Sequence, residues 1–242
     1  MSTPSLSPRI YSVPKAGGAD ADCEDAAAIS AEDWPVYASV ADGATESAFS
    51  GLWARMLVEE GASRTGTDEA AFRMAVKERR ADWRTAVAER AADGPWYVQA
   101  KAEEGAFAAV LSLSLQEDGT WTALSVGDCC LLLLRDGHVR RSWPFEDPEA
   151  FTNRPPLVAS RPDEPVPSPQ TASGTWTHGD TVLLATDAVA AWLLQMEDVD
   201  VEDGGQAAFR GAVDSARENG SLRNDDVTLL VLEPTSPPEA DE

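Results

Sequence analysis

Five carboxylates stand beside hydrophobic runs in this chain: Glu24 and Asp25 in DCEDAAAIS, Asp42 after VYASVA, Asp187 after TVLLAT and Asp225 before VTLLVL. If those runs are neighbouring strands, their ends gather carboxylates whose mutual repulsion disfavours simultaneous ionisation unless cations sit between them. Oxygen-only ligands select hard ions, Mg²⁺ or Mn²⁺. Taken singly, each acid also has an ordinary role, because Asp-Gly is a common turn and Asp before an apolar helix a common cap. The other reactive residue types do not gather in the same way. His138 and His178 lie outside these motifs, and Cys23, Cys129 and Cys130 include an adjacent pair but no C-x-x-C unit for zinc or thiol exchange.

The elements that must position these carboxylates follow from periodicity. Residues 9–14 and 35–41 read as strands, with DCEDAAAIS as a hairpin partner between them. Ser47 is placed to cap a helix running to Gly61, since Phe49, Leu52, Trp53, Met56 and Leu57 recur at helical spacing. A second helix is expected from Asp68 to Ala92, with Phe72, Val76, Trp83 and Val87 along one side and Arg73, Lys77, Arg79, Arg80 and Arg84 as polar surface. The period then changes over residues 106–143. FAAVLSLSL, WTALSV, CCLLLLR and HVRRSW, with turns at Glu117-Asp118-Gly119 and Arg135-Asp136-Gly137, predict a meander of consecutive antiparallel strands.

Eight of the 16 prolines fall within residues 144–169, which read as a long irregular flap. TVLLAT reads as a buried strand, residues 188–195 and 204–218 as helices, and DVTLLVLE as a last strand. Residues 234–242 read as a disordered acidic tail. This succession predicts one domain over residues 1–233, of class α+β, with mainly antiparallel sheets layered against helices. The formal charge of −23 repels polyphosphate backbones and anionic lipid headgroups, so neither nucleic acid nor a membrane surface is an expected partner. No apolar segment approaches the roughly 20 residues that span a bilayer, and the opening residues lack a secretory pattern. A cytoplasmic location is expected.

In order along the chain, CEDA, VADGA, SVGD, LATDA and NDDVT resemble the motif succession of the protein phosphatase 2C family, the metal-dependent serine/threonine phosphatases, across residues 10–233. The resemblance implies a four-layer α-β-β-α sandwich of two antiparallel sheets with metals at one edge. It implies that Asp42 bridges two Mn²⁺ or Mg²⁺ ions, that the Gly43 carbonyl ligates one of them, and that Asp187 and Asp225 bind the other. Glu24 would contribute directly or through water, and Asp25 would support the cluster. Asp128 of SVGD matches the position that shares a third, weaker ion with Asp187 in bacterial members. The implied activity is hydrolysis of phosphoserine and phosphothreonine on partner proteins, opposing a serine/threonine kinase, by a metal-activated water. Asp42, Asp187 and Asp225 would be the catalytic set, and no protein nucleophile is required.

The chain departs from the family pattern at four positions. Asp20 stands where animal members commonly carry a phosphate-gripping arginine, Ala44 where many have a histidine that protonates the leaving group, Phe107 where threonine is frequent, and Ala188 where glycine is usual. Lys15 and Arg154 are the candidate replacements for the phosphate grip. Asp20, Ala44 and Phe107 define the alternative function, a catalytically weak or inactive phosphatase-like interaction module that keeps the metal site.

Overall fold

The computed structural model describes residues 5–30, 34–44, 49–92, 96–151, 154–200 and 204–235. After β1 (Ser5–Val13), β2 (Ala26–Ser30) and β3 (Val36–Gly43) come three helices, α1 (Ser50–Gly61), α2 (Glu69–Ala91) and α3 (Trp96–Glu104). Strands β4 (Phe107–Leu115), β5 (Thr120–Val126), β6 (Cys130–Arg135) and β7 (His138–Trp143) follow. The chain closes with β8 (Val158–Ala159), β9 (Gln170–Thr175), β10 (Asp180–Ala185), α4 (Asp187–Leu193), α5 (Gly205–Glu218) and β11 (Val227–Thr235). These strands build two antiparallel sheets, one ordered β1-β11-β10-β6-β7 and the other β2-β3-β4-β5-β9, with β8 added to β4.

The uninterrupted apolar runs exist because both faces of each sheet are covered. Leu131, Leu133, Val182, Leu184, Leu230 and Leu232 point into the space between the sheets, against Val36, Val40, Leu111 and Leu113. Their sequence neighbours Leu132, Leu134, Leu183, Leu229 and Val231 point the other way, onto Val189, Leu193 and Val213 of α4 and α5. On the second sheet, Ala41, Ala108, Val110 and Leu124 lie under Trp53, Leu57, Phe72 and Val76 of α1 and α2. The result is the expected α-β-β-α layering, each buried leucine contributing about 1.5–3 kcal/mol of transfer free energy.

Several local expectations are revised. Helix α1 starts at Ser50, with Phe49 at its N-cap in the left-handed region (φ 61); the expected cap, Ser47, lies outside the described residues. Helix α2, expected from Asp68, starts at Glu69 and has Asp68 as its N-cap, whose side chain accepts from the Ala71 amide at 2.7 Å. Arg80, expected on the polar surface, is only 4% exposed and donates from Nε to the Ala159 carbonyl at 3.0 Å, because β8 runs against this helix. Helix α3 was not signalled by the pattern.

The expected meander is two hairpins in different sheets. β4 pairs with β5 and β6 with β7, while the chain crosses from one sheet to the other through Gly127, Asp128 and Cys129. β5 stops pairing at Val110, and β8 takes over the exposed start of β4, with Val158 opposite Ala108 and Ala159 opposite Phe107. The proline-rich segment is therefore stapled to the domain at its middle, where Trp53 Nε1 also donates to the Val158 carbonyl at 2.8 Å. Strand β11 continues to Thr235, opposite Ser5, and residues 236–242 of the expected tail lie outside the described residues. Among the described residues no helix is long and apolar enough to cross a membrane.

Candidate metal centre

Antiparallel register brings the acid-bearing strand ends to one edge of the sandwich. Ala41 is opposite both Ala26 and Val110, and Val110 is opposite Val126; in the other sheet Ala185 is opposite both Cys130 and Leu229. Glu24 and Asp25 therefore enter β2, Asp42 and Gly43 finish β3, Asp128 sits in the crossover after β5, Asp187 follows β10, and Asp225 precedes β11, all at this edge. Asp42, Asp128 and Asp187 each offer a carboxylate oxygen, and these atoms lie within 4.8 Å of one another. Asp225 joins them through Arg223, whose Nη2 is 3.3 Å from Asp225 Oδ2 and also donates to Asp187 Oδ2.

Two glycines make this convergence possible. A Cβ on Gly43 would fall 2.7 Å from the Glu24 carbonyl oxygen and 2.9 Å from the Ser50 carbonyl carbon, so only glycine lets β3 end between those segments. Gly127 has φ +106, and a Cβ there would lie 2.4 Å from the Ala109 Cβ. Ala109 is the cross-strand partner of Asp42, so the turn that delivers Asp128 rests on the residue opposite Asp42.

The surrounding hydrogen bonds hold the acids in place. Asp25 Oδ2 accepts from Thr186 Oγ1 at 2.8 Å, and Thr186 Oγ1 in turn accepts the Thr228 amide at 2.9 Å, tying β2 to β10 and β11. Asp226, 5% exposed, accepts the backbone amides of Lys15 at 2.7 Å and Glu24 at 2.8 Å. The Glu24 carboxylate accepts from Ser50 Oγ and lies 3.6 Å from Lys15 Nζ. Sequence reasoning missed Thr186, Asp226, Ser50 and Arg223. Thr186 precedes Asp187 and Asp226 is the second acid of NDD, which were available signals; Ser50 and Arg223 offered none.

Crowding shows in the ionisation of the cluster. Burial, then the neighbouring Asp128 and Asp225 carboxylates, push the Asp42 carboxyl up to about 7, opposed by Arg223. Burial raises Asp128 to about 6. Burial and Asp42 hold Asp25 well above the usual carboxylate range, against the pull of the Thr186 hydrogen bond. Asp25 Oδ1 and Asp187 Oδ1 are buried with no hydrogen-bond partner. Asp42, Asp128 and Asp187 converge, Asp42 and Asp128 resist ionisation, and Asp187 Oδ1 is buried and unpaired; a hard divalent cation relieves all three conditions, so these residues fit such ions. The thiols do not compete as nucleophiles, since burial pushes Cys23 up to about 11 and Cys130 up to about 12.

Of the remaining expected site residues, Lys15 is at this edge beside Glu24. Arg154 is exposed and precedes Pro156, whose carbonyl oxygen lies 3.3 Å from where a Gly127 Cβ would sit, so its segment passes over the crossover that bears Asp128. Asp20 points to solvent and pairs with Arg210 at 2.7 Å. Ala44 donates its amide to the Phe107 carbonyl at 2.9 Å, and Ala188 is 2% exposed in the first turn of α4. His138 sits beside the Glu197 carbonyl, 3.0 Å away, and His178 occupies the turn before β10, at the other end of that strand from Asp187.

The fold has solved counterparts. Over 96% of this chain and 99% of its own, the Mycobacterium tuberculosis serine/threonine phosphatase PstP superposes with a TM-score of 0.63 at 18% identity. Stp1 from Staphylococcus aureus, a serine/threonine phosphatase, gives 0.63 at 15% identity over 96% of both chains. The PstP catalytic domain in complex with two manganese ions gives 0.60 at 18% identity over 97% of this chain and 100% of that one. No curated protein sequence matches. The family model described as protein phosphatase 2C matches residues 16–226, most of the chain, and with the layered fold and the acid-lined edge this establishes that the chain belongs to the protein phosphatase 2C family.

Proposed function

We propose that this chain hydrolyses phosphoserine and phosphothreonine esters on partner proteins, as the counterpart of a serine/threonine kinase, using two Mn²⁺ or Mg²⁺ ions and a third, weaker one. The observation that carries the reading is the convergence of Asp42, Asp128 and Asp187 oxygens within 4.8 Å in an oxygen-only cluster. The bound ions would neutralise the phosphate monoester and bring the pKa of water towards 7. Asp42 would be shared by the two principal ions, with the Gly43 carbonyl holding one and Asp187 and Asp225 the other, and Glu24 would contribute directly or through water. Asp128 would share the weaker ion with Asp187. Asp25, held by Thr186, and Asp226, which fixes the Glu24 and Lys15 backbone, would keep the ligands oriented. Lys15 and Arg154 are the cations we assign to the phosphate. Ala44 cannot supply a proton, so the leaving alkoxide would take one from water. A cytoplasmic setting would keep the three free cysteines reduced.

A second reading, a phosphatase-like interaction module, is favoured by Asp20, which places an acid with an arginine partner of its own where a phosphate grip would be needed. The two separate on a small aryl phosphate assayed with and without chelator. The enzyme reading expects Mn²⁺- or Mg²⁺-dependent turnover that vanishes with chelator; a protein that binds the ions without turnover supports the module, and chelator-resistant turnover removes the mechanism.

A further inference from the structure

The acid cluster already contains a cation supplied by the chain. Arg223 belongs to the short connection between α5 and β11, and its Nη2 meets Asp187 Oδ2 and Asp225 Oδ2 together. These are the two carboxylates that the functional reading gives to one principal ion. The Asp187 side chain is 9% exposed and that of Arg223 42%, so the guanidinium reaches the cluster from the solvent side. The backbone on either side is fastened. Leu222 is buried and its amide donates to the Ala216 carbonyl at 3.1 Å, while Arg217 donates to the carbonyls of Asp225 and, at 2.9 Å, Pro14. Any exchange at this position is therefore a side-chain movement, about an unbranched stem, with no rearrangement of the fold.

A guanidinium with one positive charge and a planar fork can pair two carboxylates, but a divalent ion neutralises them more completely and takes more of their lone pairs. The two cannot both hold the facing oxygens of Asp187 and Asp225. We propose that Arg223 is a built-in counter-ion that occupies the Asp187–Asp225 pair when no divalent ion is bound and must swing out for the metal to enter, so that it weakens metal affinity while protecting the metal-free fold. The proposal rests on reading this edge as a divalent-ion site. It differs from the position of Lys15, whose Nζ stands 3.6 Å from Glu24 and, among the described residues, pairs with no other carboxylate, which leaves the Asp187–Asp225 pair to Arg223.

The test uses the full chain, stripped with chelator and dialysed, and titrates Mn²⁺ by calorimetry into wild type, Arg223→Ala and Arg223→Gln, with melting temperatures measured in chelator and in saturating Mn²⁺. Arg135→Ala is the control for removing one positive charge from a chain of net charge −23, because Arg135 lies at the opposite end of β6 and β10. Competition by a partly solvated ion pair predicts that both Arg223 variants bind Mn²⁺ about five- to tenfold more tightly than wild type, while Arg135→Ala keeps the wild-type affinity. Both Arg223 variants should melt below wild type in chelator, with the gap closing in saturating Mn²⁺. Should Arg223→Ala fail to fold, Arg223→Gln, which keeps the stem and loses the charge, carries the comparison. Unchanged or weaker Mn²⁺ binding by the folded variants overturns the proposal and leaves the metal site standing. Absence of Mn²⁺ binding in wild type and variants alike overturns both.

Discussion

Strand β10 has an aspartate at each end, and the two ends have opposite characters. Asp180 starts the strand with a full set of donors. Its Oδ1 accepts from Arg135 Nε at 2.8 Å, and its Oδ2 accepts from the Thr177 amide at 2.7 Å. Arg135 is its cross-strand partner and Thr177 is three residues away, so local geometry completes this carboxylate. Asp187 follows the same strand at the other end, where its Oδ1 is buried and unpartnered, its Oδ2 is met, among the described residues, only by Arg223 from a distant segment, and the Asp42 and Asp128 carboxylates converge on it. Both acids are buried. What separates a structural acid from a site is whether the local backbone and the facing strand supply the donors, or leave the charge to be met by something else.

The sharpest way to break this comparison is at Asp42, the residue we propose for both principal ions. Asp42→Asn should lower metal-dependent turnover on the order of 10³-fold, since on that proposal one carboxylate would serve two ions. Turnover near wild type, with unchanged Mn²⁺ stoichiometry, would remove Asp42 from that role. Next in size, Asp187→Ala should cost about 100-fold and weaken the principal ions, whereas Asp128→Ala should cost about tenfold and leave principal binding intact. Calorimetric stoichiometry alongside turnover separates them; equal losses would mean that the three carboxylates form one undivided site.

Asp180→Ala probes the structural end. Losing its paired donors should destabilise the fold by about 1–2 kcal/mol, read as a lower melting temperature, without touching Mn²⁺ affinity or turnover per folded molecule. A change in Mn²⁺ affinity would erase the distinction between the two ends.

The smallest effect expected is one of pH. Asp42 at about 7 and Asp128 at about 6 bind protons more tightly when folded than at their ordinary value of 3.8. Their contribution is fully present below that ordinary value and is lost as pH rises through 6 to 7. The chelated protein should therefore melt progressively lower as the pH is raised from about 5 to about 7.5, while saturating Mn²⁺ should reverse the slope, because protons compete with the ion. Parallel slopes with and without Mn²⁺ would show that metal and protons do not share these carboxylates.

Much of this contrast was legible in the chain. Runs such as CLLLLR and VTLLVL identify strands buried on both faces, and acids flush with their ends identify a polar edge. Strand periodicity does not say which sheet a strand joins, so the crossover at Gly127–Cys129 read as one more turn of a meander. Arg80 and Arg223 look like solvated charges in sequence. One is buried because β8 presents the Ala159 carbonyl to it, and the other is drawn to a cluster that exists only after five strand ends have met. Asp226 was hidden beside Asp225, since two adjacent acids at the entrance of a strand point to opposite partners, one to the cluster and one to the Lys15 and Glu24 amides.

The central claim, that this edge hydrolyses phosphate monoesters through bound divalent ions, is tested most directly by phosphate release from a phosphothreonine peptide as Mn²⁺ is titrated into the chelator-stripped chain, with Asp42→Asn in parallel. The account predicts no release before Mn²⁺ is added, saturable release as the ions bind, and a flat response from the variant. Release that persists in chelator, or a wild type that fills its Mn²⁺ sites and releases nothing, would contradict it.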